Sequence, residues 1–193
     1  MINRLYILGG ANGSGKSTIA RELLPAENLE FVNPDEIARE LCPTNLESVK
    51  IAAGKEAIRR ANDYLERGVS FAIESTLSGN VYVKVIEKAK SLGYEVNIAY
   101  TFVDSPEVCV ARIAERVRHG GHNVPPEDVR RRFWRSRKNF LNVYAALADN
   151  WWLVSNAGGE LILVAVKHKD EEVEVLSEQD YKEFEEAVCH SEQ

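Results

Sequence analysis

The chain has 193 residues, of which 45% are hydrophobic and 28% charged, enough for one α/β domain with a sizeable core. No apolar run approaches the ~20 residues that span a bilayer, and the brief N-terminal apolar stretch is too short for a secretory core, so a cytoplasmic location is the default expectation. The net charge of −6 argues against non-specific nucleic-acid binding, and three widely spaced cysteines (Cys42, Cys109, Cys189) without a C-x-x-C pair argue against a disulfide framework or zinc site.

Residues 3–8 read as the first strand. They run into GGANGSGKST at residues 9–18, which contains G-x-x-x-x-G-K-[ST] from Gly10 to Ser17 in the strand–loop–helix setting that the motif requires. Gly10, Gly13 and Gly15, with Ala11, Asn12, Ser14 and Thr18, form a loop whose backbone N–H groups turn inward around a triphosphate. Lys16 supplies a point charge to the β- and γ-phosphates, and the Ser17 hydroxyl is the candidate ligand for a nucleotide-borne Mg²⁺. ATP with Mg²⁺ is therefore the expected ligand.

The helix after this loop is expected to stop near Leu24, before Pro25, with a short second strand over 29–33. Asn33-Pro34-Asp35-Glu36 has the pattern of a helix start, with Asn as cap, Pro in the first position and acids in the first turn. A long helix spans 47–67 and ends at Gly68. The third strand, 69–74, ends in Glu74-Ser75-Thr76; a helix over 81–91 and a fourth strand over 96–103 follow. Pro106 opens a helix to Arg118, Gly120-Gly121 breaks it, and Pro125-Pro126-Glu127-Asp128 starts another helix reaching Ala148. Residues 151–154 form a fifth strand with a hairpin partner at 161–166, and the acidic tail from Asp170 reads as a short strand and one helix. Alternating strands and long helices imply a mostly parallel five- to six-stranded sheet covered on both faces, the three-layer sandwich of P-loop NTPases, in one domain over 1–193. Ligands in such sheets sit at the carboxyl ends of the strands, where the phosphate loop, Asp35 and Glu74/Thr76 converge.

Charge is distributed unevenly. Residues 112–138 hold nine Arg or Lys against three acids, whereas residues 170–193 hold ten acids and only Lys182. Two arginine-bearing helices around a Gly-Gly…Pro-Pro loop have the composition of a movable lid over about 112–132, whose guanidiniums could stabilise a transferring phosphoryl group. The acidic extension covers about 168–193. No Asn-Lys-x-Asp sequence for guanine is present, and Leu77-Ser78-Gly79 follows the candidate Walker B strand, the wrong order for an ABC signature. His119 and His122 form H-G-G-H, but two intervening glycines favour a loop over a metal-ligand pair. Trp134, Trp151 and Trp152 read as structural. Asp35 has the chemistry of a general base beside a γ-phosphate, and Glu74 could either hold Mg²⁺ through water or bind substrate.

Four segments together resemble the zeta-toxin group of P-loop kinases, in its short members also described as predicted ABC-type ATPases: GGANGSGKST (9–18), FVNPDEIA (31–38), ESTLSG (74–79) and the string RHGGHNVPPEDVRRRF within 112–140. The resemblance covers about residues 2–155. It implies a kinase that moves the ATP γ-phosphate to a hydroxyl of a sugar or sugar-nucleotide such as UDP-N-acetylglucosamine. By motif match it assigns Asp35 as catalytic aspartate, Lys16 as phosphate-loop lysine, Glu74 and Thr76 as the substrate-side E-x-T pair, and Arg118 and Arg131 as lid arginines. Arg130 or Arg132 replaces Arg131 if the helix phase differs, and Glu56 is a weaker candidate substrate contact. The family also implies an antitoxin-type protein partner. Two other readings stay open: a polynucleotide 5′-hydroxyl or nucleotide kinase, and an ATP-binding regulatory module without turnover.

Overall fold

The computed structural model describes residues 2–121 and 123–189. Among the described residues seven strands form one sheet: β1 (Arg4–Gly9), β2 (Glu30–Val32), β3 (Phe71–Ser75), β4 (Glu95–Phe102), β5 (Asn150–Ser155), β6 (Ile162–Lys167) and β7 (Glu174–Val175). Their order is β2-β3-β1-β4-β5-β6-β7. The first five are mutually parallel, and β6 and β7 close one edge antiparallel. The sheet exceeds the expected five or six strands because the short strand expected in the acidic tail, the two-residue β7, joins it by pairing with Ala165 and Val166.

The helices of the described residues are α1 (Lys16–Glu27), α2 (Pro34–Leu41), α3 (Leu46–Arg67), α4 (Val83–Ser91), α5 (Pro106–Arg118), α6 (Pro126–Asn139), α7 (Ala145–Leu147) and α8 (Glu178–Cys189), with a π-helical turn, Phe140–Tyr144, between α6 and α7. Parallel strands buried on both faces explain the unbroken apolar run of β1. Leu5 and Ile7 enter the larger core cluster, while Leu8 packs with Ala20 and Ala99 in another. On α3 the small residues Ala53, Ala57 and Ala61 recur every four positions and are fully buried, which lets the helix lie close to its neighbours.

Two helix boundaries differ from expectation. Pro25 lies inside α1, which ends at Asn28 in the left-handed conformation (φ 51°). The missing N–H of Pro25 would have bonded Arg21, an exposed residue whose carbonyl water can reach, so the helix survives one more turn. The helix expected to run unbroken to Ala148 instead widens into the π-turn after Asn139. The acidic tail contributes to the core, because Phe184 of α8 is fully buried against Tyr100, Phe102 and Phe140. Trp151 lies in the main core, and Trp134 packs edge-on to Phe133. His119 is exposed on α5's end and His122 lies outside the described residues. Among the described residues no group of three or more His, Cys, Asp or Glu could hold a metal ion, and no helix is long and apolar enough to cross a membrane.

Candidate active site

The loop between β1 and α1 is fixed from three sides. Ser14, completely buried, shares a 2.7 Å hydrogen bond with the Thr101 hydroxyl, and Thr101 Oγ1 lies 3.2 Å from the Gly9 carbonyl. Asn156, just past β5, donates from Nδ2 to the Ser14 carbonyl at 2.8 Å. Gly15 holds φ 115°, and any side chain there would overlap the Asn156 amide, so glycine is required twice over. Arg112 Nη2 in turn donates to the Asn156 carbonyl at 2.6 Å, tying α5 to the same corner.

The first turn of α1 carries neither an acid nor a side-chain cap; its Thr18 N–H donates to the Gly15 carbonyl at 2.9 Å, and Gly15, Lys16 and Ser17 line the cleft at the positive end of the helix. That is the electrostatic signature of a phosphate cradle. Lys16 lies within it, only 6% exposed, with Nζ donating to the Ala11 carbonyl at 2.8 Å and standing 3.9 Å from Glu74 Oε1. Burial pushes the Lys16 pKa down, opposed by the nearby carboxylates of Glu74 and Asp35. An anionic ligand would restore what desolvation costs this ammonium.

Glu74 stands at the carboxyl end of β3, next to the loop because Leu8 and Glu74 are register partners. Its Oε2 accepts from Ser17 Oγ at 3.4 Å and from Asn33 Nδ2 at 3.3 Å. The same Asn33 caps α2, its side-chain oxygen accepting from the Asp35 N–H at 2.9 Å, and this cap sets Asp35 in the first turn facing the loop. Ser17, Glu74 and Asp35 thus present a hydroxyl and two carboxylates, hard oxygen donors of the type that suit Mg²⁺ carried by phosphates.

Two clefts meet at these residues. One, about 340 Å³, runs along the phosphate loop past Lys16, Ser17 and Thr18 to Arg112, Arg116 and Gly159. The other, about 190 Å³, is lined by Asn33, Lys50, Thr76, Tyr82 and Arg132. Asn12, Lys16, Asp35 and Glu74 line both. The phosphate-loop residues, Asp35, Glu74 and Thr76 singled out from sequence are therefore brought together.

The arginines are arranged differently from the motif match. Arg118 is 74% exposed and paired with Glu115 at 2.5 Å, and it lines neither cleft. Arg116, one turn behind Arg112 on the same face of α5, lines the phosphate-loop cleft instead; residues two apart on a helix cannot share a face. Arg131 points to Asp128 at 2.5 Å with 58% exposure, and Arg130 pairs with Glu107 at 3.1 Å. Arg132 is the member of that triplet turned inward: 17% exposed, 2.9 Å from Asp128 and 3.5 Å from Asn12 Oδ1 on the phosphate loop. Glu56 also lies apart. Hydrogen bonds from Arg59 and Arg60 hold its carboxyl down at about 2, and it lines neither cleft. Asn156, Arg116 and Lys50 are the residues that sequence reasoning did not assign to the site, and Arg132 is the alternative to Arg131 that a different helix phase allowed. The i, i+4 recurrence of Arg112 and Arg116 beside the buried Cys109 and Ile113 was a usable signal for α5, whereas nothing local marks Asn156.

A phosphate loop after β1, an acid ending the neighbouring parallel strand and flanking arginine-bearing helices define a P-loop nucleotide-binding protein with a kinase-like fold. More narrowly, the chain belongs to the AAA domain family, whose model matches residues 5–140. It is 34% identical over 133 residues to an uncharacterized protein of Haemophilus influenzae, covering 69% of this chain and 94% of that one. Its fold is shared by a chain of the AvrRxo1-ORF1:-ORF2 complex crystallised with ATP (TM-score 0.77, 22% identity, 95% of this chain). The chain spans 63% of the length of that protein. It is shared also by the PezAT chromosomal toxin–antitoxin system of Streptococcus pneumoniae (TM-score 0.67, 16% identity, 100% of this chain and 88% of that one). The resemblance to zeta-toxin-like P-loop kinases thus holds at the level of fold and P-loop family.

Proposed function

We propose that the chain is an ATP-dependent kinase that transfers the γ-phosphate to a hydroxyl of a small sugar or sugar-nucleotide. The observation that carries this reading is the position of Asp35 at the junction of the two clefts. A nucleotide seated along the phosphate loop ends where the second cleft begins, and a carboxylate at that boundary can serve both substrates. In the step itself the acceptor oxygen attacks the γ-phosphorus, its proton passes to an Asp35 carboxylate oxygen, and the bond between γ-phosphorus and the β–γ bridging oxygen breaks to release ADP.

Each neighbouring residue has a distinct part. The α1 N-terminus and Lys16 would hold the β- and γ-phosphates, and Ser17 and Glu74 would hold Mg²⁺, which would supply charge neutralisation to the phosphates. Arg116 on α5 lines the phosphate-loop cleft and Arg132 on α6 lines the second cleft, and these two are the candidates for stabilising charge on the transferring group. Thr76 lies on the acceptor side. Four of the nine basic residues of the block pair with carboxylates, Arg118 with Glu115, Arg130 with Glu107, and Arg131 and Arg132 with Asp128; with the net charge of −6 this favours a small acceptor over a nucleic acid.

A metabolite screen with ATP and Mg²⁺, read as the mass shift of one added phosphate, tests the reading. A single class of hydroxylated sugar or sugar-nucleotide product is expected. Tight ATP binding with no phosphorylated metabolite would favour a regulatory module instead. The fold likeness to the PezAT system also motivates a small antitoxin-type partner, which would co-elute with the chain purified from its native cells; elution as the bare chain would count against it.

A further inference from the structure

The loop that follows Glu74 is pinned by one helical face. Ser136 Oγ donates to the Thr76 carbonyl, Asn139 Nδ2 donates to the Leu77 carbonyl at 2.8 Å, and the Tyr144 hydroxyl donates to the Gly79 carbonyl at 2.6 Å. Ser136 can spend its proton on Thr76 because the Tyr100 hydroxyl, 2.7 Å away, donates to it in turn. Three side chains thus take three carbonyls out of four consecutive residues that have no strand or helix partners of their own.

The helix is built to do this. Ser136 and Asn139 are one α-turn apart, but Tyr144 lies five residues beyond Asn139. The π-turn supplies the extra residue: Ala145 N–H donates to the Phe140 carbonyl, five back, and rotates Tyr144 onto the same face. The loop in turn is held in an unfavourable shape. Leu77 has left-handed backbone (φ 53°) although it is a bulky residue, and its N–H is taken by Ser75 Oγ at 3.0 Å. Its buried side chain lies against Gly9, where even a Cβ would come within 2.6 Å of Leu77 Cδ1. Thr76 and Ser78, whose hydroxyls are 2.9 Å apart, are thereby fixed relative to the start of the phosphate loop.

We infer that Ser136, Asn139 and Tyr144 are positioning residues that hold the 76–79 loop, and with it Thr76, in register with Asp35 for the acceptor hydroxyl. The inference rests on the kinase reading above. Arg132 lies one turn before Ser136 on the same helix, so α6 carries the inward-facing arginine and the acceptor loop as one rigid unit. Acceptor binding and arginine placement are then set together, while ATP binding depends on a different set of contacts.

Asn139→Ala and Tyr144→Phe test this, since neither residue lines a cleft and Tyr144→Phe keeps the buried ring. The probe is the acceptor identified by the metabolite screen, with ATP titrated separately. Each variant is expected to raise the acceptor KM about tenfold while leaving the ATP Kd within about twofold, and amide exchange over residues 76–80 should quicken about tenfold with residues 10–17 unchanged. An unchanged acceptor KM, or equal losses for ATP and acceptor, overturns the positioning role. A wild-type chain that phosphorylates no metabolite overturns the kinase reading and the acceptor role with it, whereas an active wild type with indifferent variants overturns the positioning role alone.

Discussion

Asn156→Ala isolates the pre-organisation of the phosphate loop from its chemistry. Asn156 is 7% exposed and its Nδ2 is the donor that reaches the carbonyl of the fully buried Ser14 at 2.8 Å. Truncation leaves that carbonyl without its side-chain donor, a loss worth about 1–3 kcal/mol. In the free chain the loop can relax and recover part of this, but a bound triphosphate requires the cradle re-formed, so binding carries most of the cost. At 1.4 kcal/mol per tenfold, the ATP Kd is expected to rise about tenfold. Isothermal titration with Mg²⁺-ATP reads it directly, with Asn97→Ala as the matched control. Asn97 is also buried, on β4, but its side chain bonds Glu95 and Asn150, away from the loop. If both variants lose similar stability and both bind ATP as the wild type does, the clamp has no role in nucleotide binding.

Arg116→Ala and Arg132→Ala are expected to lower kcat by about 10²-fold or more in steady-state assays, while Arg118→Ala and Arg131→Ala stay near wild type; the reverse pattern would restore the motif-based assignment and imply rotation of α5 and α6 on closure. Glu56→Gln is expected to leave phosphoryl transfer intact. Because Arg59 and Arg60 hold the folded-state pKa of Glu56 at about 2 against an ordinary 4.5, its stabilisation is complete above 4.5 and fades as pH falls toward 2. Denaturation curves of the variant should lose part of the acid-limb slope in that window, and an unaltered slope would show the ion cluster to be inert.

Much of the fold was legible because local chemistry fixed it. Asn33-Pro34 capped α2 as its pattern required, Gly68 ended α3 in the left-handed conformation, and α5 runs from Pro106 to Arg118 as read. The phosphate loop announced itself through glycines that the geometry needs. What escaped sequence reading depended on contacts between distant segments. Asn156 is 142 positions from Ser14, and in sequence it is an ordinary turn residue. The choice of Arg132 over Arg131 depends on helix phase, which consecutive arginines in RRR cannot reveal but buried Val129 and Phe133 do. The π-turn has no propensity signature; it accompanies the bonds by which Ser136, Asn139 and Tyr144 reach carbonyls of the distant 76–79 loop.

The proposed transfer depends on a single carboxylate, Asp35, which lines both clefts. Asp35→Asn preserves shape and the Asn33 cap while removing the proton acceptor. Transfer from γ-labelled ATP to the screened acceptor, measured at saturating ATP, is expected to fall at least about 10²-fold with the ATP Kd changed no more than about threefold. Wild-type transfer by Asp35→Asn would contradict the account.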